Sequence, residues 1–347
     1  MRRTYLDWNA TTPLRAEARA AMVDAMALVG NPSSVHAEGR AAKGLIERAR
    51  KQVAAALGAE GADVIFTSSA TEAAALALQD KGIACAGIEH DAVRSWCEES
   101  LPVDQMGRVT IADPAHAALQ VANSETGVIQ TLPGGLFLTD ATQAFGKIPF
   151  AFNWCGAQMA IVSAHKLGGP KGVGALVVKR GTDIAARIKG GGQEMGRRSG
   201  TENVIGIAGF AAAATAAQAD LEAGAWDRVA KLRKILEKTI AESAKETIFV
   251  GIDANRLPNT SCFITPGWKG ETQVMVMDLA GFAVSAGSAC SSGKVKTSAA
   301  LEAMGFDREQ AGCALRISLG SDTSEEEVLA FADAWSREHE KFRTRGR

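Results

Sequence analysis

The chain has 347 residues, 46% of them apolar, which is enough for a buried core and, by length, for about two domains. Thirty-eight lysines and arginines against 39 acidic residues leave a net charge of −1, which excludes a global field that would recruit nucleic acid or an anionic membrane. No window reaches the roughly 18 uninterrupted apolar residues of a membrane span, and the N-terminal MRRTYLDWNATTP lacks the apolar core of a secretory signal. A cytosolic protein acting on small molecules is expected.

In chain order, 38–57 reads as a helix, DVIFT (63–67) as a strand and 71–79 as a helix. ALQVAN (118–123), GLFLTD (135–140), MAIVS (159–163) and GALVV (174–178) read as further strands, and 203–222 as a helix rather than a low-complexity linker. That alternation predicts an α/β domain with a largely parallel sheet. After about Gly224 the pattern changes: helices at 226–244, 271–280 and 324–341 enclose TIFV, SCFIT and CALRIS, which predicts a smaller α+β domain. The large domain is expected over 14–224, and the small one over 1–13 and 225–347. The six cysteines, at 85, 97, 155, 262, 290 and 313, show no C-x-x-C spacing. Reduced thiols are expected, five of them buried and structural, with no metal site.

Ligands of open α/β sheets bind beyond the carboxyl ends of the strands. There DVIFT runs into SSATEAAALAL, where Ser68, Ser69, Ala70 and Thr71 precede an alanine-rich helix. Its free backbone N–H groups suit a phosphate, although ordinary capping by serine or threonine accounts for the same residues. GLFLTD ends on Asp140 with Gln143 three residues on. Asp140 is a cap for the next helical turn, or a carboxylate for a protonated ring nitrogen such as that of pyridoxal phosphate. His90 in GIEHDAV is a catalyst or a satisfied surface or core histidine.

The stretch SAHKLGGPKG breaks the tie. Ser163 and His165 can donate to a phosphate while Lys166 reaches an aldehyde, and the glycines let backbone approach closely. A solvated surface lysine, the natural reading of Lys171, does not account for the flanking serine and histidine. Cys290 lies in SAGSACSSGKVKTS, a run of small polar residues that reads as a loop rather than packed core and suits a tethered nucleophile.

The motifs YLDWNATTP, GNPSSVHAEGR, IFTSSATEAAALAL, IEHDAV, ANSETGVIQ, TDATQAFGKIPF, SAHKLGGPKGVGAL, GGGQEMGRRSGTENV, SAGSACSSGKVKTSAAL and LRISLGSDTSEEEV follow one another from about Tyr5 to Val328. In that order the chain resembles the pyridoxal-phosphate-dependent cysteine desulfurases of the NifS/IscS type, in the class V aminotransferase family. The resemblance implies the aspartate aminotransferase-like fold (fold type I) and a homodimer with shared active sites. It implies that Lys166 holds the cofactor as an internal aldimine, that His90 stacks on the ring as an acid/base group, and that Asp140 pairs with the ring nitrogen. Gln143 would bond the phenolic oxygen, with Asn123 near that oxygen and the substrate carboxylate. Ala70, Thr71, Ser163 and His165 would hold the phosphate, joined by Thr201 from the partner subunit, and Arg316 would bind the substrate carboxylate.

Cys290 would take sulfur from L-cysteine as a persulfide, leaving alanine, and pass it to an acceptor such as an iron–sulfur scaffold, with cluster ligation by Cys290 and a partner as a further possibility. Its context resembles the NifS/IscS subgroup more than the SufS-like one. Some positions depart from the pattern: Ser69 stands for a glycine, Ala73 and Ala74 for a polar pair, Ser124 for an asparagine and Trp8 for an asparagine. The 71–90 and 90–123 intervals are short, and the tail is short and basic. A selenocysteine lyase or an aminotransferase would share Lys166 and Asp140, but an aminotransferase does not need Cys290. GGGQEMG is a weak nicotinamide signature because no strand leads into it. A non-catalytic assembly role would follow if the altered phosphate loop had lost the cofactor.

Overall fold

Runs rich in apolar and β-branched residues form the central sheet of the computed structural model, which describes residues 3–287 and 297–345. The strand order is Asp63–Thr67, Gly174–Val178, Met159–Ser163, Leu138–Asp140 and Ala118–Gln120. The last three are mutually parallel, and Gly174–Val178 runs antiparallel to both its neighbours. Four strands therefore share one direction and one is reversed. The reason is local: only 164–173 joins Ser163 to Gly174, shorter than the dozen or so residues a parallel crossover needs.

The helices covering this sheet bury small residues. Ala37–Ala56 turns Ala42, Ile46, Ala49 and Val53 inward at helical spacing and is capped by the His36 side chain. Val204–Glu222 packs against it and against Ala16–Met26. By length and hydropathy Val204–Glu222 resembles a membrane span, but half of its apolar window is buried inside the protein, as in a core helix. Ala16–Met26 goes unpredicted by the sequence, because AEARAAMVDAM has neither a side-chain N-cap nor a clear apolar stripe.

After Gly224 the chain forms the antiparallel strands Ile248–Phe249, Thr260–Ile264 and Ala314–Ser318. Helices Ala225–Ser243, Gly270–Leu279 and Glu325–Arg345 accompany them. Leu6 joins Phe263, Phe331 and Trp335 in this second core. Thr4–Tyr5 pairs in parallel with Phe282–Ala283, and Asp7 bridges to Ser318. Beyond Asp7 the same segment crosses to the large sheet, where Thr12 N–H donates to the His165 carbonyl at 2.9 Å. That crossing brings the N-terminal segment to the lysine turn.

Two thiols correct the expectation of five buried cysteines. Cys85, Cys262 and Cys313 are buried, but Cys97 and Cys155 are only half-buried. Cys97 precedes the short strand Glu98–Leu101, whose only strand partner among the described residues is Ala84–Ala86, so it stays near solvent. Cys290 lies outside the described residues.

Candidate active site

A cavity of about 250 Å³ opens at the carboxyl ends of the strands. Its wall includes Ala70, Thr71, His90, Asp140, Gln143, Ser163, His165 and Lys166, together with Ala10, Ser69, Ser124 and Thr142. Met159–Ser163 delivers Ser163, and a single 3₁₀ turn, Ala164–Lys166, carries His165 and Lys166 past the carboxyl end of this central strand. The Lys166 Nζ donates to the carbonyls of Asn9 at 2.6 Å and Ala10 at 2.9 Å. The Thr12 hydroxyl donates to the Lys166 carbonyl, fixing the turn from the other side.

At the start of Ala70–Leu78, the Ser69 hydroxyl accepts from Glu72 N–H at 3.3 Å, as a helix N-cap does. Capping is thus one role of the serine, and it leaves the first N–H groups of the helix at the cavity. Gly174 makes this approach possible: a Cβ there would lie 2.6 Å from the Ser69 carbonyl carbon and 2.9 Å from Ala70 N. His165, also in the cavity wall, has its pKa pulled down to about 4 by burial and then by Lys166, Lys171 and Lys147. It is therefore a neutral ring at pH 7, and its Nδ1 lies 3.1 Å from the Thr11 hydroxyl.

Asp140 ends its strand, and its Oδ1 accepts from Thr142 N–H at 2.8 Å. The Thr142 hydroxyl oxygen is buried with no hydrogen-bond partner among the described residues. His90 caps the Asp91–Arg94 turn, its Nδ1 accepting from Ala92 N–H at 3.0 Å. That bond assigns the proton of the neutral ring to Nε2. Glu89, beside it, is fully buried; burial, and then the Asp140 charge, push its carboxyl well above the usual carboxylate range.

Three predicted residues lie outside the cavity wall. Asn123 is buried, its carboxamide donating to the Ile88 carbonyl and accepting from Glu125 N–H, Thr126 N–H and the Thr126 hydroxyl. It holds the turn that presents Ser124. Arg316 sits behind Ser124, donating to its carbonyl at 3.1 Å and to Asp7 at 2.6 Å, with Nε buried and unpartnered among the described residues. Thr201 is exposed in a separate cleft with Ser68, Glu194 and Arg198. Cys290 falls outside the described residues.

Sequence reasoning assigns no role to Asn9, Lys147, Asp7 or Thr142. Lys147 is buried, and its Nζ donates to Gln143 Oε1 at 2.6 Å and to Asn9 Oδ1 at 3.2 Å. Burial, and then the charges of Lys166 and Arg316, pull its pKa well below the ordinary lysine range. The one signal for it is its spacing four residues after Gln143.

A family model described as aminotransferase class V matches residues 4–331. The chain belongs to the class V aminotransferase family. Within it, the cysteine desulfurase IscS of Dictyoglomus turgidum is 36% identical over 99% of this chain and 96% of that protein. A cysteine desulfurase of Cereibacter sphaeroides is 37% identical over 94% of this chain and 93% of its own. Among solved structures, a NifS-like protein from Rickettsia africae superposes with a TM-score of 0.87 at 31% identity, covering 97% of this chain and 99% of that one. SspA, solved in complex with cysteine, superposes with a TM-score of 0.74 at 25% identity, covering 91% and 98%. These relatives place the chain in the pyridoxal-phosphate fold class that the motifs implied.

Class V aminotransferases depend on pyridoxal phosphate, and the cavity suits it. Its wall carries N–H groups and hydroxyls, a carboxylate and an amine, and its Thr142 hydroxyl lacks a partner among the described residues.

Proposed function

We propose that this chain is a pyridoxal-phosphate-dependent cysteine desulfurase that takes sulfur from L-cysteine, leaves L-alanine and carries the sulfur as a persulfide on Cys290. The observation that carries the reading is a lysine amine sharing one cavity with the start of Ala70–Leu78, Ser163, His165 and Asp140. The names of the relatives, and the cysteine bound by SspA, agree with it. The cofactor supplies the carbonyl for the amine and the electron sink for the substrate's α-carbon.

The chain's own residues supply the rest. The free N–H groups of Ala70 and Thr71, the Ser163 hydroxyl and His165 hold the phosphate, and Asp140 keeps the ring nitrogen protonated. Lys166 is the covalent anchor. His90 presents Nε2 for proton transfer, with Nδ1 held by Ala92 N–H. Gln143 offers its N–H edge to the phenolic oxygen. Asn123 acts by holding the Ser124 turn. Arg316 binds the substrate carboxylate, which replaces Asp7 as its partner.

Thr201, exposed and not part of its own chain's cavity wall, suits a homodimer in which it serves the partner's phosphate. The sulfur acceptor is a protein such as an iron–sulfur scaffold, and Cys290 and that partner are the ligands through which a cluster could be held. Persulfide chemistry fits a reducing compartment such as the cytosol.

The test is sulfide and alanine release from L-cysteine by protein reconstituted with pyridoxal phosphate. Lys166→Ala is expected to lose both the visible absorbance of the bound cofactor and all turnover, while Lys171→Ala keeps them. Cys290→Ala is expected to keep the absorbance and its change on adding L-cysteine, but to lose several orders of magnitude in sulfide release. Near wild-type sulfide release by Cys290→Ala would sink the persulfide assignment.

A further inference from the structure

Lys147 is a buried amine, 2% exposed, with no carboxylate bonded to it among the described residues. Packing alone does not account for this, since burying an ammonium without an anion is costly. Its two acceptors are the oxygen of the Gln143 carboxamide and the Asn9 side-chain oxygen. The charged and titratable groups acting on it are Lys166 and Arg316, with His165 sensing its charge in turn. Two N–H bonds to two oxygens match a neutral amine, which is also the form that burial beside two cations favours.

One of those oxygens belongs to Asn9, which touches Lys166, and the other to Gln143, which shares the Asn9 carbonyl with it. The Asn9 carbonyl accepts from Lys166 Nζ at 2.6 Å and from Gln143 Nε2 at 3.0 Å. The Asn9 side chain is pinned further by donation to the Thr260 hydroxyl at 2.8 Å and by the Asn259 amide at 3.0 Å. A carboxamide has two edges of similar shape and opposite polarity. The Asn9 carbonyl can only accept, so Gln143 turns Nε2 towards it and its oxygen towards Lys147, which donates at 2.6 Å.

We infer that Lys147 is a positioning residue, which holds the Gln143 carboxamide by its oxygen so that Nε2, with one N–H on the Asn9 carbonyl, offers the other to the cavity, and which, through the Asn9 side chain, steadies the residue on whose carbonyl Lys166 rests. The inference rests on the pyridoxal-phosphate reading and adds a residue to it. A donor at the phenolic oxygen disperses negative charge there and eases proton loss from the neighbouring nitrogen. Loosening that donor therefore raises the pH at which the visible absorbance of the lysine-bound cofactor titrates.

The experiment is a pH titration of that absorbance, with cofactor affinity measured by equilibrium dialysis, in Lys147→Met, Lys147→Gln, Gln143→Ala and the Lys147→Met/Gln143→Ala double variant. Lys147→Met is expected to raise the midpoint by about one unit and to weaken cofactor binding about tenfold, the scale of one buried hydrogen bond. Lys147→Gln, which keeps an N–H donor, is expected to titrate within roughly 0.3 unit of wild type. In the Gln143→Ala background, loss of Lys147 is expected to add no further shift. An unmoved midpoint in Lys147→Met, or the same shift with and without Gln143, overturns the inference. Should Lys147→Met fail to fold, Lys147→Gln decides, a shift as large as that of Gln143→Ala counting against the role. Wild-type protein that shows no visible band with pyridoxal phosphate overturns the cofactor reading and this inference together.

Discussion

Replacing Arg50 by methionine strands a buried carboxylate. Arg50 Nη1 and Nη2 meet Glu194 Oε2 and Oε1 at 2.6 and 3.0 Å, a bidentate pair in which the Glu194 side chain is only 2% exposed. Arg50 also donates to the Val64 carbonyl, and its guanidinium lies 4.9 Å from the centre of the Phe66 ring. Without it, Glu194 keeps one donor among the described residues, Phe66 N–H at 3.0 Å. Breaking a buried pair from one side costs about 3–5 kcal/mol, because an uncompensated charge is left in a poorly solvated place. Arg50→Met is therefore expected to lower the urea midpoint by that amount of free energy, with the slope of the transition unchanged.

Arg50→Met/Glu194→Gln supplies the control. Glutamine still accepts from Phe66 N–H, no charge is stranded, and the loss is expected to fall to about 1–2 kcal/mol. The pair also anchors the turn where Glu194 and Met195 take left-handed φ values of 48° and 59°. Thr201 lies further along the same segment, so cofactor affinity is expected to fall with the single variant. A cost below about 1 kcal/mol for Arg50→Met, or a double variant as unstable as the single, would refute the reasoning.

Two other outcomes are expected from the site's surroundings. Gly320→Ala places a Cβ within 1.9–2.2 Å of three Trp8 indole atoms; it is expected to cost about 1–3 kcal/mol by calorimetry, and Trp8→Asn in the same chain should relieve the clash. His165 titrates in the fold near pH 4, below its ordinary 6.5, so the unfolded chain binds the extra proton between those values. Its contribution to stability is present above pH 6.5 and is lost as the pH falls to about 4, so His165→Gln should flatten the decline of the urea midpoint across that window; parallel declines would show that the ring does not contribute.

The site is legible in the sequence wherever chemistry and local geometry coincide. Ser163, His165 and Lys166 lie on one strand end and the turn after it, and Asp140 and Gln143 on another, so a short motif contains both the side chains and the backbone that aims them. Ala70 and Thr71 are legible for the same reason, as the first turn of a helix entered from a strand. The helix Ala16–Met26 is not, because its support comes from packing on Val204–Glu222 rather than from its own pattern. Neither is the half-exposure of Cys97, which depends on a strand edge formed elsewhere in the chain.

By itself, then, the sequence determined the alternation of strands and helices and singled out Lys166, Asp140, Ser163, His165 and the start of Ala70–Leu78, since each is encoded within a few residues. Tertiary structure alone decided what surrounds them. The Asn9 carbonyl reaches Lys166 from 157 residues away, and Asp7 meets Arg316 across 309. Lys147 becomes a partner of the site only because its neighbours exclude water and leave two amide oxygens as its acceptors. Such pairings depend on which surfaces the core brings together, and a buried polar group must take the partners it finds there.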